Sequence, residues 1–187
     1  AGTFQFAGTN NTVQATGTEP GVFTNSGTVT AAAAGALFSN AGATGTALQL
    51  NSTNGTFTAD PGATLTLTPD TGSFAGTTTF VNSNVTLDSG AHTFATGSQV
   101  NGPLNRTGTA AATFTGTTQT NNTIAYSSAG PLTVDGGTLT LNGGLTWSGS
   151  GNILGTGASP TLAISPSQTL TTTGAGSITL NGAGGGN

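Results

Sequence analysis

Apolar side chains recur at alternate positions in short runs along the chain, with small polar residues filling the places between them. Leu132/Val134, Leu139/Leu141 and Leu145/Trp147 are i, i+2 pairs separated by Gly-rich breaks, and Leu162/Ile164 and Ile178/Leu180 repeat the pattern. Successive side chains of an extended chain point to opposite sides, so period two predicts short strands with one buried face. Phe4/Phe6, Leu48/Leu50, Leu65/Leu67 and Val85/Leu87 extend the pattern toward the N-terminus.

The anchors also recur at a longer interval. Taking every third one leads from Leu132 to Ile153 to Ile178, and from Leu139 to Leu162, a return of roughly 21 to 25 residues. Strand, turn, strand, turn, strand, turn within that length predicts a three-sided coil, stacked on its neighbours. About eight such coils fit the chain, and at the usual strand spacing they make a rod about 40 Å long.

The breaks carry turn chemistry: Asn54-Gly55, Asn101-Gly102, Asp135-Gly136, Asn142-Gly143 and Asn181-Gly182, with prolines at 20, 61, 69, 103, 131, 160 and 166. The only helix-like fragment, Ala31 to Ala34, is too short to nucleate alone and precedes Gly35, so it is expected as a tight corner. Asn-Gly turns also suit antiparallel hairpins, which leaves a β-sandwich or jelly roll as the alternative. The brevity of the runs and the recurring interval favour a parallel β-solenoid over residues 1–181, with 182–187 (GAGGGN) as a flexible Gly-rich tail.

Four segments are built alike: FTNSGTVTA (23–31), LNSTNGTFTADPGATLTL (50–67), LTVDGGTLTLNGG (132–144) and LTWSGSGNILGTG (145–157). They resemble the degenerate repeats of bacterial β-helical exoproteins, the filamentous-haemagglutinin-like adhesins and autotransporter passengers. The likeness covers most of the chain and is loosest over 68–131. It implies secretion and a right-handed parallel β-helix, and it transfers no functional residue.

Composition narrows the function. Charged residues are 3% of the chain, against roughly a quarter in an ordinary soluble domain. Thr, Ser, Asn and Gly take the place of surface Lys and Glu, as in secreted surface polymers. With a net charge of −4 and one basic residue, Arg106, the chain lacks the cations that phosphate binding needs, so no nucleic-acid partner is expected. No run of about 18 apolar residues predicts membrane insertion. There is no Cys for disulfides and no Met. Ala1 at the start is what a processed product or an excised segment would show.

The residues able to do chemistry are few: Glu19, Asp60, Asp70, Asp88, Asp135, His92, Arg106, Tyr126 and Trp147. Asp60 and Asp70 flank prolines, where turn-forming Asp is the rule, so no catalytic carboxylate pair is assigned and no enzyme is expected. His92 has no second His or Cys to share a metal and is expected at the surface or in a turn. Neither a metal nor a cofactor is expected. Tyr126 and Trp147 are candidates for stacking sugars, although Trp147 alternates with Leu145 and reads as core. Thr64, Thr66 and Thr68, and separately Thr138 and Thr140, alternate with Leu and form candidate outward rows for a glycan or ice. Six N-x-[ST] sequons, at Asn10, Asn51, Asn54, Asn84, Asn105 and Asn121, are candidate glycosylation sites.

The sequence therefore predicts an extracellular, cell-surface structural protein: a β-solenoid subunit of a filament or the shaft of an adhesin. Its expected partners are itself, joined end to end by strand pairing, or flanking repeats of a longer chain. A secreted module that binds carbohydrate or ice through outward Thr/Asn rows is the alternative.

Overall fold

The computed structural model describes residues 2–8, 11–15, 19–33, 36–39 (backbone only), 47–82 and 84–181. Asn10, Ala34, Gly35 and the 182–187 tail lie outside the described residues. Within them the chain forms 24 short strands and no helix. The strands fall into three parallel sheets of eight, which form the three faces of a β-solenoid.

The first face runs from strand Thr3–Phe6 to strand Thr161–Ile164, the second from Thr12–Val13 to Leu170–Thr172, and the third from Gly21–Asn25 to Ile178–Leu180. Each coil visits the faces in that order and climbs one strand, so seven full turns separate the first and last strands of a face. Because every pairing is parallel, the dipeptides Asn54-Gly55, Asn101-Gly102 and Asn142-Gly143 turn corners between faces and make no hairpin.

The interval read from the anchors is the ladder register. Leu132 pairs with Ile153 and Ile153 with Ile178 on the third face, while Leu139 pairs with Leu162 on the first. The return is not uniform across the stack: it is short between the partners Thr86 and Asn105 and much longer between the partners Ala36 and Leu65. The difference is absorbed at the corners, where insertions disturb no ladder.

Alternate residues of every central strand fill one continuous column. Phe74, Phe94 and Phe114 occupy successive rungs, with ring centroids 4.8 and 4.7 Å apart and planes within 14° and 10° of parallel. In-register parallel strands place like residues one strand spacing apart, which is also a ring-stacking distance. The corner at Asn101-Gly102 requires its glycine: φ is +78°, and a β-carbon there would sit 1.5 Å from the Phe80 carbonyl oxygen. Ala31, at the head of the helix-like run, ends strand Thr28–Ala31 fully buried, and Ala32 N–H donates to Phe6 O in the coil below.

Candidate functional site

The chemistry-bearing side chains separate into those inside the column and those at its corners. Arg106, the single basic residue, is fully buried on the second face, one rung above Leu87 and one below Tyr126, which is followed by Trp147. Its Nη2 donates to the carbonyls of Ala110 and, at 2.9 Å, of Pro131, and its guanidinium carbon lies 4.5 Å from the centroid of the Tyr126 ring. Two carbonyl dipoles and an aromatic face are thus its immediate partners, with no carboxylate in contact. Burial lowers its pKa to about 10, so it stays charged at neutral pH.

His92 is also buried, contrary to the surface or turn position expected for it. It follows Gly72 and precedes Ala112 in one inward ladder of the third face, and Gly72 leaves the space its ring occupies: a β-carbon there would lie 2.4 Å from His92 Nδ1. Nε2 is 2.7 Å from the Ser89 carbonyl, which can only accept, so the proton sits on Nε2. Loss of hydration on burial, aided by the nearby Arg106 charge and opposed by the Ser89 bond, lowers the imidazole pKa to about 4. Tyr126 is likewise interior. Its hydroxyl donates to Gly130 O at 2.5 Å, and burial raises its pKa against the pull of Arg106. Trp147 is core, as its alternation with Leu145 indicates, so neither aromatic faces a sugar.

Three of the carboxylates fasten one coil to the next. Asp70 accepts from Leu48 N–H at 2.7 Å, Asp88 from the Thr107 hydroxyl at 2.6 Å, and Asp135 from the Thr156 hydroxyl at 2.9 Å. Along another corner the Asn121 amide donates to Asn101 at 2.7 Å, Asn142 donates to Asn121 at 3.0 Å, and Ser165 donates to Asn142 at 2.5 Å. Among the described residues no group of three His, Cys, Asp or Glu is placed to hold a metal, and no helix is long and apolar enough to cross a membrane.

The two predicted Thr rows lie on different faces. Thr66 points outward from strand Leu65–Thr68 on the second face, with Thr64 just before that strand and Thr68 at its end. Thr138 and Thr140 belong to strand Thr138–Leu141 on the first face, four coils further on. Beyond Thr86, Asn105 and Ala125 interrupt the row that contains Thr66. The most regular outward row is on the third face, where Ser73, Thr93, Thr113 and Thr133 follow one another on successive rungs at a constant interval.

That row had a signal in the sequence: Ser73-Phe74, Thr93-Phe94, Thr113-Phe114 and Thr133-Val134 repeat a hydroxyl-apolar pair at constant spacing. The buried cation and imidazole were legible in the same way, since Arg106 alternates with Leu104 and His92 with Phe94. Of the sequons, Asn51 is exposed on the third face, while Asn54 takes a left-handed φ of 54° and accepts from Thr77 N–H. Asn84 and Asn105 are half-buried, and Asn121 belongs to the amide ladder.

The fold and these side chains define a three-faced β-solenoid with an apolar column, one buried guanidinium and hydroxyl-rich flanks. No protein-family model, curated protein or solved structure matches the chain.

Proposed function

We propose that the protein is an extracellular structural element, a rigid β-solenoid segment of a cell-surface filament or of an adhesin shaft. The observation that carries this reading is where the reactive side chains are used. His92, Arg106, Tyr126 and Trp147 are shut inside the column, and Asp70, Asp88 and Asp135 tie adjacent coils together. What remains outside is mostly Thr, Asn, Ser and Gly, with scattered apolar residues such as Val22 and Val81 and the carboxylates Glu19 and Asp60. The likeness to filamentous-haemagglutinin-like and autotransporter repeats supports the same placement. Gold-labelled antibody against the chain, applied to intact cells that make it, should decorate surface fibres or shafts; label found only after the cells are opened sinks the proposal.

The third-face row favours a second reading, a binding module for a flat, repetitive ligand such as a crystalline carbohydrate or ice. Ser73, Thr93, Thr113 and Thr133 present one hydroxyl per strand spacing, a repeat of about 4.8 Å. Under this reading, Thr93→Tyr together with Thr113→Tyr abolishes binding to insoluble polysaccharide or ice while the circular dichroism is unchanged. Absence of binding by the parent chain removes it.

A further inference from the structure

We infer that a polar hollow in the middle of the stack, at the corner between the third and first faces, binds one neutral pyranose unit of a glycan. It is separate from the outward row of the third face, and the inference rests neither on that row nor on the structural reading. The hollow, of about 190 Å³, lies where the chain leaves strands Ala91–Phe94 and Ala111–Thr115 and enters strands Gln99–Asn101 and Thr118–Thr120. Gln99, Gln119 and Thr140, three successive rungs of one outward row, line it together with Ser98, Thr118 and the corner residue Gly97. Its volume is below the roughly 300–1,000 Å³ of sites for drug-sized ligands, so one sugar ring rather than an oligosaccharide is the unit it admits.

Two of the lining side chains lack a partner. Ser98 and Thr118 are each 2% exposed, and neither hydroxyl has a hydrogen-bond partner among the described residues. Thr120, two positions further along the same strand as Thr118, has a buried hydroxyl in the same condition. An unpaired buried hydroxyl costs stability, so a cluster of them beside a hollow calls for a partner that the chain does not supply. The corner itself is kept open and fixed. Gly97 has a φ of +79°, a β-carbon there would meet nothing within 4 Å, and its N–H donates to the Thr117 carbonyl at 2.7 Å, which joins the two coils.

The chemistry of the lining selects the ligand. Its side chains are uncharged hydroxyls and carboxamides, which both donate and accept. Sugar hydroxyls do the same, whereas an anion would meet no cation here and a cation no carboxylate. The Gln99 and Gln119 carboxamides belong to adjacent rungs, one strand spacing apart, close enough to hold hydroxyls of a single ring. An apolar ligand would leave the Ser98 and Thr118 hydroxyls as unpaired as before. A peptide docking as an added strand would need a free edge, and strands Gln99–Asn101 and Thr118–Thr120 are paired on both sides.

Saturation-transfer NMR on the whole chain tests this, with the methyl glycosides of glucose, galactose and mannose as probes. At least one should receive saturation. Gln99→Ala with Gln119→Ala should weaken its binding by about tenfold or more, the equivalent of two lost hydrogen bonds, with the parent's circular dichroism. Thr118→Val keeps the shape and removes one unpaired hydroxyl, so it should weaken binding several-fold without lowering the denaturation midpoint. Thr93→Tyr with Thr113→Tyr, on the third-face row, should leave binding unchanged; a loss there moves the sugar to that row and overturns the inference. Transfer to none of the three glycosides, binding that survives both the Gln and the Thr118 variants, or stronger transfer to the peptide mimic N-methylacetamide overturns it as well. None of these outcomes bears on the surface-labelling experiment, which decides the structural reading by itself.

Discussion

The central coils and the terminal coils are built from the same alternating strands yet differ in regularity and burial. Between Leu65 and Ile153 the second and third faces return about every 20 residues, within the usual length of a solenoid repeat, and inward side chains are buried on every side. At the ends the return lengthens, as from Gly21 to Leu48 and from Ile153 to Ile178, and residues in the same ladders are exposed. The four segments of shared wording lie outside 68–131, where the stack is most uniform. Period and inward volume, more than repeat wording, hold a solenoid together. A coil is finished only when it has a neighbour on both sides, since each buries the other's apolar rung.

The largest expected contrast comes from matched truncations. Phe94→Ala removes the middle ring of the Phe74–Phe94–Phe114 stack and should cost about 3–5 kcal/mol by denaturant unfolding. Ile178→Ala, at a half-exposed position of the last described coil, should cost less than about 1 kcal/mol. Equal losses would mean that the ends are as well packed as the centre.

Acid should sharpen the contrast, because the buried imidazole belongs to a central coil. His92 titrates near 4 when folded and near 6.5 when exposed, so between those values the unfolded chain binds the extra proton. Stability is therefore fully present above about pH 6.5, falls as the pH drops, and levels off below about 4, for a loss of roughly 3 kcal/mol. His92→Phe should flatten that part of the profile. An unchanged slope in the variant assigns the acid sensitivity elsewhere.

Arg106→Met should have a smaller effect than Phe94→Ala, of the opposite sign. Both carbonyls that accept from Arg106 have another donor, Ser128 Oγ–H for Ala110 and Ala112 N–H for Pro131, so neither is left unpaired. Replacing a buried charge by an apolar side chain of similar length should then stabilise the fold by about 1–3 kcal/mol. A loss of stability would show that the contact with the Tyr126 ring outweighs the desolvation of the guanidinium.

Particular residues show how much was legible beforehand. Leu132, Ile153 and Ile178 were readable as one ladder because apolar identity and spacing are both local properties of the chain. His92 was not read as buried, because histidine defaults to water unless its alternation with Phe94 outweighs its polarity. Thr66, Thr68, Thr138 and Thr140 point outward, as their alternation with Leu predicts, but alternation does not say from which of three faces. Corner lengths decide that, and they vary along the chain.

By itself, the sequence determined that this protein is made of short one-sided strands returning at a nearly constant interval, because period-two alternation and turn residues act within a few positions. Tertiary structure alone decided which strands share a face and which polar side chains are drawn inside. Those outcomes depend on rungs a whole coil apart meeting in register, and a rung is buried only when the coils on both sides of it are in place.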